Sequence, residues 1–358
     1  MDRRMPKVDV EQWLAEKHRR QIVIILKKLL FLLMLSFVTF SAFASNNIIS
    51  PNNKNIDYIG RWDTSNPNEF HSYWGGAYFN TEFTGKEITL KLASEVNIFV
   101  FVDGKEILFK KANGEVKIAV ENTKPGRHSL MVVAKFQNDE IVLQGIILSK
   151  NGKLFPSKKS KHWVEFIGDS ITSGDRTTKG NISAYPWLTG EALKTAHTQI
   201  SYCGIPLTNG YHFDYNGAPE IGMEAAYLDL KEPNNNPNIQ WNFDGRSPNI
   251  IIVNLGTNDA SLKVDKTLFE QTYRQFLRNI RFAHRDAFIM VLIPFNQSYH
   301  KEINEIVTQE GIRDSRLLKI DTANWLNATD FVDGTHPTDA GHKKISEQLI
   351  KIIKPYLF

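Results

Sequence analysis

The feature that most constrains the fold of this chain is a change of sequence period near residue 160. Beyond it, five apolar, strand-like runs occur at residues 164–167, 199–202, 250–255, 288–293 and 317–320. Helical patterns separate several of these runs. The clearest, at residues 267–284, has one face that carries Leu268, Phe269, Tyr273, Phe276, Leu277 and Ile280. Strands that alternate with helices predict a parallel sheet covered on both faces. Residues 162–358 are therefore expected to form an α/β domain with a five-stranded parallel sheet.

Residues 57–150 follow a different pattern. Short runs such as "EITLKLA", "NIFVFVDG" and "HSLMVVAKF" alternate with period two or are rich in β-branched residues, and turn pairs such as "NG" and "PG" separate them. Regularly spaced short strands with such turns predict an all-β sandwich. Residues 151–161 are polar and are expected to form a connector between the two domains.

The N-terminus predicts export. "KKLLFLLMLSFVTFSAFAS" combines two lysines, an apolar stretch at residues 29–40 and a cleavage site with small residues at 42 and 44, the three-part pattern of a secretory signal peptide. An apolar patch at residues 22–26 leaves a membrane anchor as the alternative, although the lysines interrupt the span. We assign residues 1–44 to the signal peptide or anchor and residues 45–56 to a linker. The expected location is secreted or periplasmic, with membrane contact only if the segment stays uncleaved.

Charge and cysteine content narrow the possible functions. The net charge of +4 is small, and no basic stripe with interleaved aromatic residues indicates nucleic-acid binding. Cys203 is the only cysteine, so the chain has no intrachain disulfide. No metal-ligand spacing is evident in the sequence. We expect neither a metal ion nor a cofactor.

Residues that can carry chemistry follow the predicted strands. Ser170 comes just after the first strand, Gly204 after the second and Asn258 after the third. Asp333 and His336 follow the fifth strand, in "FVDGTHPTDAGH". Because ligands bind beyond the carboxyl ends of the strands in such sheets, these residues are expected at one edge of the domain.

This set of residues suits acyl transfer. A hydroxyl needs an adjacent base to attack an ester, so His336 would deprotonate Ser170 while Asp333 fixes the imidazole tautomer. The oxyanion that develops needs donors fixed in advance. The backbone N–H groups of Ser170 and Gly204 and the side-chain amide of Asn258 would supply them.

Several neighbouring residues have simpler interpretations. Asp169 is expected to cap the helix that Ser170 opens, with a second catalytic acid as the alternative. Ser173 lies one turn into that helix and is the rival nucleophile, and His342 is expected at the surface. Asp259 is expected to hold its loop, with a direct substrate contact as the alternative. Cys203 is expected as a buried, small apolar residue.

Tryptophans are candidates for substrate contacts, because sugar rings stack on exposed aromatic faces. A tryptophan is nevertheless more often part of a core or an interface. Trp325, shortly before Asp333, is the best candidate for a wall of the substrate site. The other candidates are Trp241, Trp187 and Trp74.

Four sequence blocks resemble those of the SGNH (GDSL-type) hydrolases. "GDS", a later glycine, "GTND" and "DGTH" occur in this order within residues 163–358. The resemblance implies a flavodoxin-like hydrolase fold. By matching position, it also implies Ser170 as nucleophile, Gly204 and Asn258 as oxyanion donors, and His336 as base with Asp333 as its acid.

The resemblance extends upstream. "GRWDTSNPNEFHSYWGGAYFNTEFTG" and "HSLMVVAKF" are similar to the N-terminal jelly-roll of carbohydrate esterase family 2. This resemblance implies a deacetylase of plant polysaccharides such as xylan and glucomannan. The second block, "SYCGIPLTNG", departs from the family pattern, because Cys203 precedes the glycine and Ile-Pro follows it. Some family members use a Ser–His dyad, so both a dyad and a triad stay open.

The sequence therefore predicts an exported, two-domain serine esterase that removes O-acetyl groups from a polysaccharide through an acyl-serine intermediate. Alternative targets are O-acetylated peptidoglycan or exopolysaccharide, and an acetyltransferase would use the same intermediate. An alternative of another class is a carbohydrate-binding protein with an inactive hydrolase domain. The intact set of Ser170, Asn258 and His336 argues against that alternative.

Overall fold

The computed structural model describes residues 48–120, 126–243 and 245–358, together with residues 11, 14–23 and 26–27. The chain divides into two compact units, Met1–Asn46 and Asn47–Phe358. The described residues of the first unit are helical and exposed. No described helix is both long enough and apolar enough to cross a membrane. The apolar stretch and the small residues on which the signal-peptide prediction rests lie outside the described residues.

The second unit begins with an antiparallel, all-β domain. Its strands are β1 (Ile48–Ile49), β2 (Asp57–Asn66), β3 (Glu69–Thr84), β4 (Glu87–Val102), β5 (Lys105–Ala119), β6 (Arg127–Ala134), β7 (Val142–Leu148) and β8 (Leu154–Phe155). The long strands β3 and β4 run through both layers, because the start of each pairs with β7 and the end of each with β6. The result is the sandwich that the alternating pattern predicts.

Period-two alternation determines which side chains fill the sandwich core. Along β4, Ile88, Leu90, Ile98 and Val100 are fully buried, whereas Glu87 is exposed. Two register shifts, between Leu92 and Val96 and between Val96 and Ile98, lie where β4 passes from one layer to the other. Bulges of this kind bend a strand and increase its twist.

Two segments expected as linker and connector instead contribute strands to the sandwich. β1 lies within residues 45–56 and pairs with β7, and Ile56 lies in the core. β8 lies within residues 151–161 and pairs with β3. The linker and connector predictions are therefore wrong at β1 and β8. Each of these strands is a pair of apolar residues that adds to the sandwich, although the residues around it in sequence are polar.

The α/β domain has a five-stranded, fully parallel sheet. Its strands are β9 (Trp163–Gly168), β10 (Ala196–Ser201), β11 (Ile250–Asn254), β12 (Phe288–Leu292) and β13 (Leu317–Ile320). They lie in the order β10-β9-β11-β12-β13. This order is flavodoxin-like, as expected, and the chain reverses direction across the sheet between β9 and β11. Ligands in such folds bind at that point, beyond the carboxyl ends of the strands.

Helices cover both faces of this sheet. They are α1 (Ser170–Ser173), α2 (Tyr185–Leu193), α3 (Met223–Ala226), α4 (Thr257–Ser261), α5 (Lys266–Ala283), α6 (His300–Gly311) and α7 (Asp339–Ile353), with 3-10 helices at Gly180–Ser183, Ala328–Asp330 and Lys354–Tyr356. Helix α5 is the one predicted at residues 267–284, and Asp265 caps it by accepting hydrogen bonds from Thr267 N and Leu268 N. Five of the six side chains on its predicted face are buried, and Leu268 is exposed.

Strand β10 is an edge strand of the parallel sheet and lies against β2 and β3 of the sandwich. All six of its residues are buried, although most are polar. The backbone N–H of His197 donates a hydrogen bond to Tyr78 Oη at 3.3 Å. The sandwich buries the polar residues of β10 as well as its apolar ones. Because the prediction relied on an apolar run, it placed the strand only at residues 199–202.

A second contact between the domains is formed by two sandwich residues. Trp74 is buried among side chains of the α/β domain, and its Nε1 donates a hydrogen bond to Leu230 O at 3.1 Å. The Arg61 guanidinium donates to Asp229 O and lies 5.0 Å from the centre of the Tyr227 ring. The two domains therefore share part of one core.

Candidate active site

Ser170 lies at the corner where β9 ends and α1 begins. A Cβ at Gly168 would lie 2.0 Å from Thr172 Oγ1, so this close turn requires a glycine. Asp169 is the N-cap of α1, and its Oδ1 accepts a hydrogen bond from Ile171 N at 3.0 Å. The cap expected at this position is present, and it holds Ser170 at the first helical position.

The structure brings Ser170, His336 and Asp333 together. Ser170 Oγ lies 2.9 Å from His336 Nε2, and His336 Nδ1 lies 2.8 Å from Asp333 Oδ2. A carboxylate opposite Nδ1 favours the tautomer that carries its proton on Nδ1. Nε2 is then an acceptor for the hydroxyl proton of Ser170, which is the arrangement of a nucleophile with its base.

Asp333 is held ionised by its neighbours. Its Oδ1 accepts hydrogen bonds from His336 N at 2.8 Å and Thr335 N at 3.1 Å. Partial burial raises the pKa of the Asp333 carboxyl, but the hydrogen bonds from His336 and Thr335 outweigh it and hold the pKa well below its usual range. The side chain is therefore charged at neutral pH.

Two residues that the sequence analysis did not single out also approach this group. Arg176 Nε lies 3.1 Å from Asp333 Oδ2, and Asp175 Oδ2 lies 3.6 Å from His336 Nε2. Both residues follow Ser170 closely in the chain, but they face groups more than 150 positions away. The only signal in the sequence was their place directly after the stretch "GDSITSG".

The candidate oxyanion donors follow three adjacent strands. Ser170 comes after β9, Gly204 after β10 and Asn258 after β11. Asn258 Nδ2 donates one hydrogen bond to Ile205 O at 2.8 Å. This bond orients the amide and leaves its second N–H available for an oxyanion. Gly204 has φ of 77°, a conformation that favours glycine, and no described residue accepts a hydrogen bond from its N–H.

Asp259 holds the loop after β10. Its carboxylate accepts hydrogen bonds from Leu207 N at 2.8 Å and Thr208 N at 3.0 Å. The residue is fully buried, so the substrate contact considered for Asp259 is corrected: a polymer cannot reach its side chain. The residue links the loop of Gly204 to that of Asn258.

Asp169 and Ser173 are both buried beside Ser170. Asp169 Oδ2 is buried without a hydrogen-bond partner among the described residues, and burial raises the pKa of its carboxyl to about 7. Ser173 Oγ donates a hydrogen bond to Ser170 O at 3.0 Å. The Ser173 hydroxyl thus bonds to the backbone of its own helix and not to a base. Of the two serines, Ser170 is the one that lies next to His336.

His342 was expected at the surface, and the structure corrects this. The side chain is fully buried between α2 and α7, where His342 Nδ1 accepts a hydrogen bond from Tyr185 N at 3.2 Å. Burial lowers the pKa of His342 to about 3, so the ring is neutral. The surface prediction failed because the polar residues around His342 in the sequence belong to the other face of the helix.

Cys203 is half-buried and lines a cavity, which corrects the full burial expected for it, and partial burial raises the pKa of its thiol to about 12. The thiol is therefore protonated at neutral pH, which agrees with the small apolar role expected for it. Within the described ranges, no group of three or more His, Cys, Asp or Glu residues is placed to hold a metal ion.

The tryptophan candidates divide into two groups. Trp74 and Trp187 are buried in the core, so the structure corrects their proposed role as exposed platforms. Trp241 and Trp325 are half-buried, and the Trp325 ring lies 6.4 Å from that of Phe295. A substrate contact at Trp325 stays a prediction.

A cavity of about 310 Å³ opens beside the site. Residues 136–139 of the β6–β7 turn line one side of it, and residues 173–176 with Cys203 line the other. Asp175 and Arg176 therefore connect the Ser170–His336–Asp333 group to a cavity whose walls come from both domains.

Comparison with known sequences finds two family matches. Residues 58–157 match the carbohydrate esterase 2 N-terminal family, and residues 166–344, half of the chain, match the GDSL-like lipase/acylhydrolase family. Cellulase/esterase CelE of Acetivibrio thermocellus is 26% identical over 332 residues, covering 84% of this chain and 39% of that protein. An acetylxylan esterase / glucomannan deacetylase of Cellvibrio japonicus is 31% identical over 205 residues, covering 52% of this chain and 55% of that protein. This chain therefore spans only part of the length of both relatives.

Solved structures have the same two-part fold. A family two carbohydrate esterase from Clostridium thermocellum, in complex with cellohexaose, is 26% identical, with 84% of this chain and 98% of that chain covered and a TM-score of 0.72. A family two carbohydrate esterase from Cellvibrio japonicus shares the fold at 19% identity, with 87% and 97% covered and a TM-score of 0.73. Together with the sequence blocks, these matches show that the chain belongs to the GDSL-like lipase/acylhydrolase family and carries the N-terminal domain of carbohydrate esterase family 2.

Proposed function

We propose that this chain is a serine esterase that removes O-acetyl groups from plant polysaccharides of the xylan or glucomannan type. The observation that carries the proposal is the continuous hydrogen-bonded group of Ser170, His336 and Asp333, with oxygen–nitrogen distances of 2.9 and 2.8 Å. The substrate class follows from relatives described as an acetylxylan esterase / glucomannan deacetylase.

In the first half of the proposed reaction, Ser170 Oγ attacks the carbonyl carbon of the acetyl group. The hydroxyl proton passes to His336 Nε2, and the charge on the imidazolium is stabilised by Asp333. The tetrahedral oxyanion is bound by the N–H groups of Ser170 and Gly204 and by the Asn258 amide. The intermediate then expels the sugar oxygen, which takes the proton from His336, and acetyl-Ser170 remains.

In the second half, His336 Nε2 takes a proton from a water molecule that attacks acetyl-Ser170. The same oxyanion donors stabilise the second tetrahedral intermediate. Its collapse releases acetate and returns the proton to Ser170. A sugar hydroxyl that replaced this water would make the enzyme an acetyltransferase.

The proposed location of the enzyme is outside the cytoplasm. Acetylated plant polymers are extracellular, and residues 27–44 carry the three-part pattern of a signal peptide. Comparing the amount of protein in culture medium, periplasm and membranes tests this location directly.

A second candidate function is carbohydrate binding without turnover. The observation that favours it is the relative from Clostridium thermocellum that was solved in complex with cellohexaose, at 26% identity. Binding of cellohexaose that is equally strong in wild type and Ser170→Ala, together with no ester hydrolysis, would select this function.

Acetate release by purified protein tests the esterase function. The substrates are acetylated xylan, acetylated glucomannan, O-acetylated peptidoglycan and the small ester p-nitrophenyl acetate, each with wild type and Ser170→Ala. We expect release from the plant polymers that disappears in Ser170→Ala. Release from peptidoglycan alone would keep the mechanism and change the substrate, and no release from any ester by folded wild type would refute the esterase.

A further inference from the structure

We propose that Gln137 of the sandwich and Tyr215 of the α/β domain are positioning residues that fix the oxyanion donor Gly204. The sandwich would then contribute to catalysis indirectly, through one side chain that positions an oxyanion donor. This inference rests on the proposed esterase function, in which the Gly204 N–H binds the oxyanion.

Gln137 reaches from one domain into the other. Its Oε1 accepts a hydrogen bond from Cys203 N at 2.7 Å, across 66 positions of sequence. The side chain therefore holds the residue that immediately precedes Gly204. Cys203 makes this contact through its backbone N–H. The contact therefore cannot be predicted from the type of amino acid at position 203.

The turn that carries Gln137 is braced from within. Asp139 Oδ2 accepts a hydrogen bond from Phe136 N at 3.0 Å, and Asp139 Oδ1 accepts one from Asn97 Nδ2 at 2.9 Å. The turn also meets the α/β domain, because Asn181 N donates to Lys135 O at 3.0 Å. Gln137 therefore lies on a turn that is held both by the sandwich, through Asn97, and by the α/β domain, through Asn181.

Tyr215 holds the other side of Cys203. Its Oη donates a hydrogen bond to Cys203 O at 3.4 Å. That carbonyl and the Gly204 N–H belong to one planar peptide unit, so the direction of the carbonyl sets the direction of the N–H. A hydrogen bond accepted by the carbonyl also polarises the N–H of the same peptide.

The two contacts together control both torsions of Cys203. Gln137 holds the peptide before it, and Tyr215 holds the peptide after it. A Cβ at Gly204 would lie 2.0 Å from Tyr215 Oη, so any larger residue at position 204 would displace the Tyr215 hydroxyl. Contacts to the Cys203 backbone from residues outside the second block thus fix the geometry of that block.

Steady-state hydrolysis of p-nitrophenyl acetate by the full chain tests the inference. Gln137→Met keeps the length of the side chain and removes the acceptor oxygen, and Tyr215→Phe removes only the hydroxyl. Gln144→Met is the matched control, because Gln144 bonds to Glu69 within the sandwich. Thermal unfolding is recorded for each variant.

We expect kcat to fall about tenfold in Gln137→Met and about threefold in Tyr215→Phe, since a displaced donor loses part of its transition-state interaction. KM should change by less than about twofold, because the donor acts on the oxyanion and not on the bound ester. Gln144→Met should match wild type.

Wild-type kcat in a folded Gln137→Met variant would overturn the inference, and so would a rise of KM at constant kcat. If Gln137→Met lowers the unfolding temperature, Tyr215→Phe decides, because Tyr215 is 50% exposed and its hydroxyl is not needed for packing. Full activity in Ser170→Ala would instead refute the proposed function, whatever Gln137 does.

Discussion

At the residue scale, Asp333 determines whether the site works as a Ser–His–Asp triad or as a Ser–His dyad. Asp333→Asn would present an amide to His336 Nδ1 and favour the tautomer that cannot accept the proton of Ser170. We expect kcat for p-nitrophenyl acetate to fall by about 10²–10⁴-fold with little change in KM. Asp321→Asn, an exposed carboxylate on another loop, is the control. A loss smaller than tenfold would contradict the triad and leave Ser170 and His336 as a dyad.

Asp169 is expected to make stability depend on pH. Its pKa is raised to about 7 in the folded state by burial, whereas an unfolded Asp titrates near ~3.9. Between these values the folded state binds more protons, so stability decreases as the pH rises from about 4 to 7. Asp169→Asn keeps the Oδ1 cap and removes the charge.

Asp169→Asn should therefore be more stable than wild type at pH 8, by up to ~4 kcal/mol, with a gap that narrows toward pH 4. Urea unfolding at both pH values measures this gap. A gap that is the same at both would show that the carboxyl does not titrate in this range.

The sequence predicted the residues of the site that belong to its motifs and missed those that meet them through the fold. Ser170 and His336 were paired correctly as neighbours although 166 positions separate them. Gln137, Asp175 and Arg176 belong to no motif, because their role depends on where distant groups lie. The surface prediction for His342 was wrong for a related reason, because the residue is buried by packing between two helices.

At the element scale, the junction between β9 and α1 carries the most constraint. In Gly168→Ala the new Cβ would lie 2.0 Å from Thr172 Oγ1 and 3.0 Å from Asn254 O. We expect a loss of ~2–4 kcal/mol of stability and a lower kcat, because the corner must move and takes Ser170 with it. Thermal unfolding and p-nitrophenyl acetate hydrolysis measure both effects.

Gly311→Ala is the matched control for this junction. Its Cβ would meet its nearest neighbour, Leu317 O, at 3.8 Å, an ordinary contact at the end of α6. This variant should be as stable as wild type or more stable by up to ~1 kcal/mol, since alanine favours helix. Equal destabilisation by both substitutions would contradict the close-packing argument.

How well each strand was predicted depends on what buries it. Strands β9, β11, β12 and β13 match their apolar runs within two residues, because helices of the same domain cover both faces. Strand β10 was predicted three residues short, since the surface that buries it belongs to the sandwich. The period and composition of a sequence therefore predict a buried strand only where the buried residues are apolar.

At the scale of the whole molecule, the shared core predicts that the two domains unfold together. Trp74 packs with the α/β domain, whereas Trp62 packs within the sandwich. We expect wild type to show one calorimetric transition. Trp74→Ala should cost ~3–5 kcal/mol and split the transition into two, one for each domain.

Trp62→Ala is the control for this experiment. It should cost a similar amount, because Trp62 is also buried, yet leave a single transition. Two transitions in wild type would contradict the coupling of the domains.

The contact between Tyr78 and the backbone of β10 has a consequence for anyone who shortens this chain. A fragment that begins after the sandwich would retain the parallel sheet but lose the hydroxyl that pairs with His197 N. Its outermost strand would then offer free amide and carbonyl groups to any other chain in solution, and such edges promote intermolecular strand pairing and precipitation. In the full chain, the sandwich covers this edge strand of the α/β domain.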